Sequence, residues 1–405
     1  MACGVMIGWV YTVSNLLPFN MVLIDAPLIT IGRVGLLGAL IGALYKLAST
    51  SEIAKKYSFN ITDALAIVWA SSALLSSLLT DGISKLAGSA LFVSEFFAGY
   101  CVVRVCYREQ SARLRFLEIF LSCMTVVILI AALDQILGFP AVNHLSASIF
   151  GTEVPPFQTR FGLVRAMGPL DHAILFGVTS AIGLSFALTP APIRSQAGKI
   201  TVMLIGVAMS LSAGPSIAAA FIISARVYEA ALAGVRSRWI FALVLTGLAL
   251  AVPISHGISL TDLLLKFGTF EAESGQFRLL IWQYAWAEVE ASPIIGIGGR
   301  DWIRPADMPP SIDSLWLVMC VRYGLVCAFF FALMMASTLT GVVRGKMARR
   351  EANNYSALII TIAVIGGTVH FWGAPWSFLG AICALRVNCT LSSVEDEPEV
   401  LGRIA

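Results

Sequence analysis

The chain has 405 residues, 58% of them hydrophobic and 13% charged, with a mean hydropathy of +0.84. This excludes an ordinary soluble domain and predicts an all-α integral membrane protein, because a bilayer core admits only segments that satisfy their own backbone hydrogen bonds. A net charge of +3 offers nothing to a nucleic-acid partner.

Apolar runs fall near 3–19, 31–49, 60–79, 87–105, 116–138, 169–189, 200–213, 215–232, 238–254, 313–343, 354–371 and 376–390. A span needs about 20 apolar residues, so these runs predict ten to twelve transmembrane helices in a single polytopic domain covering 1–405. The first run has no basic leader and no small-residue cleavage motif, so no cleavable signal peptide is expected. Cys101, Cys106, Cys123, Cys320, Cys327 and Cys383 lie in or beside the runs without metal-ligand spacing, which reads as apolar packing.

Five connections are basic: Lys55 and Lys56; Arg104, Arg108, Arg113 and Arg115; Arg194 and Lys199; Arg226, Arg236 and Arg238; and Arg344, Lys346, Arg349 and Arg350. Twelve spans put all five on one side, which makes that side and both termini cytoplasmic. The other side receives two long loops, 139–168 and 255–312. Within the second, Phe277, Ile281, Trp282, Ala285 and Val289 recur at helical spacing, and Ser292-Pro293 ends that helix. The tail Glu395–Glu399 is acidic and reads as a solvated end.

Both outward loops carry arginine segments, Arg160-Phe-Gly-Leu-Val-Arg165 and Gly275-Gln-Phe-Arg278, with Arg300 and Arg304 further on. Positive charge is usually depleted on the outer side. The planar guanidinium grips phosphate oxygens in pairs and stays charged at physiological pH, so a lipid-linked pyrophosphate is a natural ligand. Acidic and histidine candidates on this side are Glu153, Asp171, His172, His256, Asp301, Asp307 and Asp313. Asp313 opens the tenth run, either as a helix cap or as a general base for a hydroxyl. His172 opens the sixth, either as a helix-start residue or as the alternative base. Trp282, Trp302 and Trp316 offer faces to sugar rings or anchor at the interface. Among ionisable residues in the runs, Arg33 and Asp134 lie near outer helix ends, where snorkelling competes with function, while Glu95 and Arg322 are candidates to pair. Phosphate-cradling, nucleophile-elbow, zinc-binding and Asp-x-Asp motifs are absent, so energy must come from an activated donor and neither metal nor other cofactor is expected.

The motifs Gln135-Ile-Leu-Gly, Arg165-Ala-Met-Gly-Pro, Leu211-Ser-Ala-Gly-Pro-Ser216, Gly275-Gln-Phe-Arg278-Leu-Leu-Ile-Trp282, Ser292-Pro-Ile-Ile-Gly296-Ile-Gly298, Ile312-Asp313-Ser-Leu-Trp316 and Arg322-Tyr-Gly-Leu, in this order, resemble the O-antigen ligase and polysaccharide polymerase superfamily of bacterial inner membranes. The resemblance covers roughly 130–345. It implies a metal-independent C-type glycosyltransferase that moves a glycan from an undecaprenyl-pyrophosphate carrier at the periplasmic face. Arg165 and Arg278 match the donor-binding arginines; Arg160, Arg300, Arg322, Trp282 and Trp316 are candidates for further substrate contacts, and Asp313 or His172 for catalysis. Ligases of this group place a His-Asn pair where this chain has Asp313-Ser314, and Ser-Arg-Gly where it has Ser212-Ala213-Gly214. The wording therefore favours a polymerase of exopolysaccharide or O-antigen repeat units over a ligase acting on lipid A-core. Expected partners are the lipid-linked oligosaccharide, membrane lipids, a chain-length regulator and a flippase. A transporter is the rival of another class; such proteins show inverted repeats and broken midplane helices, and no repeat is visible here.

Overall fold

Twelve apolar runs become twelve helices in the computed structural model. It describes residues 2–16, 22–24, 29–50, 57–151, 154–189, 193–233, 235, 238–257 and 272–395. Glu153, Lys55, Lys56, Arg236, positions 396–399 of the tail and positions 258–271 of the long loop lie outside the described residues.

In chain order the helices matching the runs are α1 (Ala2–Leu16), α2 (Ile31–Ser49), α3 (Ile61–Asp81), α4 (Ile83–Cys106), α5 (Gln110–Leu137), α7 (Ala173–Leu188), α8 (Ala197–Met209), α9 (Ala213–Ala231), α10 (Arg238–Ser255), α12 (Leu315–Leu339), α13 (Lys346–Ile365) and α14 (Ala374–Glu395). Among the described residues two more, α6 (Ala141–Phe150) and α11 (Ala272–Ala291), lie within the two long connections. Sheet is confined, among the described residues, to two short hairpins, β1–β2 (Val22–Ile24 with Ile29–Thr30) and β3–β4 (Thr159–Arg160 with Leu163–Val164). This is an all-α protein with membrane character. Among the described residues, five helices are long and apolar enough to cross a bilayer: α2, α3, α4, α5 and α12. Others fall short for visible reasons. The 13 residues of α8 rise about 20 Å against a hydrocarbon core of about 30 Å, and α13 opens with Lys346, Arg349, Arg350 and Glu351.

Small residues let α4 and α14 approach closely, as is usual where helices pack without a hydrophobic drive between them. At Gly380 of α14 a Cβ would sit 2.2 Å from the Phe96 carbonyl, and at Gly99 of α4 it would sit 2.0 Å from that of Ser377. Aromatic rings fill the space beside this seam, with Trp376 5.0 Å from Phe96 and 5.4 Å from Phe331.

Among the described residues, charged side chains of the basic connections pair near the helix ends they adjoin. Lys199 pairs with Glu118, Arg226 with Glu229, and Asn353 with Glu229 as well. Two residues counted as loop cations are in fact fully buried. Arg104 pairs with Asp63 at 3.0 Å and also donates to Asn388; Arg113 pairs with Glu351 at 2.9 Å. They tie α3, α4 and α14, and α5 and α13. The pairing of Glu95 with Arg322 does not form: Glu95 meets Arg33 of α2 at 2.8 Å.

Candidate functional site

The fold brings both arginine segments together. Residues 159–164 form a two-residue hairpin whose turn, Phe161-Gly162, has φ of 55° and 77°, the left-handed pair that suits a tight hairpin. Arg160 faces Leu163 across the ladder, and Arg165 N–H donates to Gln158 O at 3.0 Å. Side chains alternate along a strand, so Arg160 and Arg165 share one face. Both reach the turn between α8 and α9. Arg160 Nη1 donates to Leu211 O at 2.8 Å; Arg165 donates to Ser212 Oγ at 2.5 Å, Ser210 O at 3.4 Å and Gln158 Oε1 at 2.8 Å. Leu211 carries a left-handed φ of 47°, a conformation that costs about 1–3 kcal/mol outside glycine. The two arginines over the Ser210 and Leu211 carbonyls complement the negative end of the α8 dipole.

Asp134 fixes the chain behind Arg165. It is fully buried rather than snorkelling, and accepts N–H from Ala141, Met167 and Gly168 at 2.9, 3.0 and 2.8 Å. Gln135 Nε2 adds bonds to Val164 O and Met209 O.

Arg278 stands on α11, whose Ile281, Ala285 and Val289 are buried against Leu317, Val318 and Val321 of α12. This is the helix expected from the spacing in the long loop. Arg278 Nε is buried with no hydrogen-bond partner. Burial holds its guanidinium below the ordinary arginine range; the charge of Asp313 opposes that and the charge of Arg160 adds to it. Burial in turn raises the Asp313 carboxyl, against Arg278 and a Ser311 hydrogen bond. A half-buried carboxylate with raised proton affinity beside an incompletely paired arginine is what a base next to an anion-binding group requires. Asp313 does not cap the helix: Ser314 does, with its Oγ accepting from Leu317 N–H at 3.2 Å.

His172 caps α7, its Nδ1 accepting from Ile174 N–H at 3.1 Å. With Nδ1 occupied as an acceptor, the neutral ring presents its proton at Nε2 and suits a donor to substrate oxygens. Burial, then Arg165, pulls its pKa down to about 4.

The remaining expected contacts are taken up by the protein itself. Trp282 Nε1 donates to Gly367 O at 3.2 Å, Trp316 Nε1 to Ala363 O at 2.8 Å, and Trp302 Nε1 to Pro310 O at 2.9 Å. Arg300 is exposed and donates to Ile297 O, and Arg304 pairs with Asp301. Arg322 donates to Gly298 O at 3.0 Å and to Arg300 O. It sits beside a break in α12 at Gly324, whose φ is 83°. Segment 293–298 lies along the break: Ile297 N–H and Gly298 N–H donate to Val321 O and Arg322 O, and Leu325 N–H donates to Pro293 O.

Two residues escaped the sequence reading. The run 354–371 conceals the end of α13 at Ile365, after which a turn from Gly366 to Gly373 carries His370 and Trp372. The pair Gly366-Gly367 is the signal that marks it. Trp372 lies between the two histidines, with ring centroids 6.1 Å from His172 and 5.5 Å from His370. A cavity of about 240 Å³ is lined by Arg33, Glu95, Asp171 and Trp372. A second, of about 720 Å³, is lined by Arg33, Lys85, Arg322 and His370. Among the described residues, no three His, Cys, Asp or Glu side chains group as metal ligands. Comparison of the chain with models of known protein families and with curated proteins finds no match.

Proposed function

We propose that this chain is a membrane-embedded glycosyltransferase that polymerises lipid-linked repeat units. A glycan moves from an undecaprenyl-pyrophosphate donor to the hydroxyl of an acceptor sugar. The observation that carries this reading is the pair of Arg278, with a buried Nε lacking a partner, and Asp313, whose carboxyl burial raises, at the end shared with Arg160 and Arg165. In the reaction the acceptor oxygen bonds to the anomeric carbon as the bond from that carbon to the pyrophosphate oxygen breaks. Asp313 takes the hydroxyl proton, and Arg278 meets the charge gathering on the departing pyrophosphate. Arg160 and Arg165 shape the neighbouring turn, and His172 presents an N–H to substrate oxygens.

In this reading ten to twelve of the apolar helices traverse a bacterial inner membrane. The basic connections are cytoplasmic by their charge, with both termini, and the arginine segments are periplasmic. One observation favours the transport rival instead: α12 is broken at Gly324 beside a cavity, an arrangement common in transporters. Purified protein incubated with a polyprenyl-pyrophosphate-linked oligosaccharide decides between them. Glycosyl transfer releases free polyprenyl pyrophosphate and lengthens the glycan. Movement of the intact lipid across a vesicle bilayer with no lengthening would establish transport and sink the polymerase reading.

A further inference from the structure

The cavity of about 720 Å³ lies within the size range of small-molecule sites, roughly 300–1,000 Å³. Three cationic side chains, Arg33, Lys85 and Arg322, line it with one carboxylate, Asp81. That carboxylate already accepts Gly299 N–H at 2.6 Å. Lys85 and Arg322 spend hydrogen bonds on the neutral carbonyls of Gly299 and Gly298, at 3.0 Å each, which leaves their charges uncancelled by those partners. Arg33 is shared with Glu95. The balance in the lining is positive.

Aromatic surface and a neutral polar group complete the lining. Phe92 and Tyr323 both border the cavity, and because Phe92 is stacked between Tyr323 at 5.7 Å and Trp376 at 4.5 Å, they give it a rigid aromatic wall. His370 borders it too, with Nε2 buried and without a hydrogen-bond partner. Burial and the field of Arg322 pull its pKa to about 4, so it meets a ligand as a neutral ring. An unfilled buried polar atom calls for a partner, and a sugar hydroxyl supplies one.

The cavity also lies next to the arginine site. The turn that carries His370 is pinned from the other side: Gly366 O and Val369 O accept Leu315 N–H at 2.8 and 3.1 Å, and Gly367 O accepts Trp282 Nε1. Leu315 follows Asp313 by two residues, and Trp282 follows Arg278 by one helical turn. A single stretch of backbone therefore separates the Arg278–Asp313 pair from the cavity.

We infer that this cavity is a second binding site, one that holds an anionic glycan, with Lys85 and Arg322 meeting its charge and His370 a hydroxyl. Calling that glycan the acceptor rests on the proposed polymerase reading; the binding itself does not.

Calorimetric titration of detergent-solubilised full-length protein tests it without turnover. The probes are trigalacturonate, neutral maltotriose and inorganic pyrophosphate. Trigalacturonate is expected to bind and maltotriose to bind far more weakly. Lys85→Gln, which keeps a donor to Gly299 O but drops the charge, should weaken trigalacturonate by about tenfold or more, and Lys85→Glu should weaken it further. Arg278→Ala should leave that binding in place. Equal binding of maltotriose, or trigalacturonate binding indifferent to both Lys85 variants or abolished by Arg278→Ala, overturns the inference. So does pyrophosphate binding as tightly as trigalacturonate in a Lys85-dependent way, which would make the cavity a headgroup site. Failure of glycosyl transfer in the purified protein, with this binding intact, removes the polymerase reading and leaves the glycan site standing.

Discussion

The Asp134 carboxylate accepts Gly168 N–H at 2.8 Å, from a helix end to a loop 34 residues away. The same group accepts Met167 N–H and Ala141 N–H, so one buried charge fixes both the start of α6 and the strand exit behind Arg165. Asp134→Ala strands three backbone donors, each worth about 1–3 kcal/mol when left unsatisfied in the interior. A large fall in the thermal midpoint of detergent-solubilised protein is expected, with Asp134→Asn milder because its carbonyl still accepts. A wild-type midpoint in Asp134→Ala would show that the loop is held elsewhere.

Gly324 permits the break in α12. Its φ of 83° suits glycine, and a Cβ there would lie 2.0 Å from Ile294 O. Gly324→Ala combines a backbone cost of about 1–3 kcal/mol with displacement of segment 293–298. Faster limited proteolysis between Pro293 and Arg300 is the expected signature. An unchanged cleavage pattern and thermal midpoint would mean the break is incidental.

The sequence made the helices legible because hydropathy is a local signal, and every apolar run fell on one. Helical spacing likewise placed Ile281, Ala285 and Val289 on the buried face of α11. Pairings across the chain were not legible. Arg33 meets Glu95 from 62 residues away, and Arg104 meets Asp63 from 41, so counting loop charges treated a buried cation as a solvated one. Gly324 stood in the motif Arg322-Tyr-Gly-Leu, but the break it makes was not legible because glycine is common in unbroken membrane helices. His370 was hidden by apolar neighbours on both sides. At the site, residue chemistry singled out Arg278 and Asp313, but not that Trp282 and Trp316 spend their N–H groups on the backbone of 363–367.

Arg104 and Asp63 form a pair with both side chains buried. Removing one member of such a pair leaves a charge without compensation, at a cost of about 3–5 kcal/mol. Arg104→Met should therefore lower the yield of folded protein sharply. Adding Asp63→Asn should recover part of the loss, since the stranded charge is gone. Full stability in the single variant would mean that water or another cation reaches Asp63.

His172 and His370 both have pKa values pulled from 6.5 to about 4. Each is neutral in the fold while the unfolded chain still takes up a proton below pH 6.5. The unfolded state thus binds more protons in that window, and stability falls as pH drops from 6.5 toward about 4. Above 6.5 neither histidine contributes a slope. Thermal midpoints across this range should show the loss, and His172→Asn with His370→Gln should flatten it. An acid slope unaltered in the double variant would assign it to carboxylates instead.

Arg278 gives the sharpest test of the donor site. Lysine keeps the charge but loses the planar fork that grips two phosphate oxygens, so Arg278→Lys should not restore what Arg278→Ala loses. Losing one charge-assisted contact at a dry reacting centre costs on the order of 2–4 kcal/mol, or about 30- to 1,000-fold in rate. Because Nε has no partner within the protein, the substitution strands no hydrogen bond at that atom, and folding should suffer little. Cells carrying Arg278→Ala should insert normal amounts of protein yet accumulate single lipid-linked repeat units in place of long polymer. In purified protein the loss should fall on kcat as well as on KM, since the pyrophosphate gathers charge as it leaves. Polymer of ordinary length from Arg278→Ala at native expression would make this arginine a bystander, and the assignment of the donor pyrophosphate to this end of α11 would fall with it.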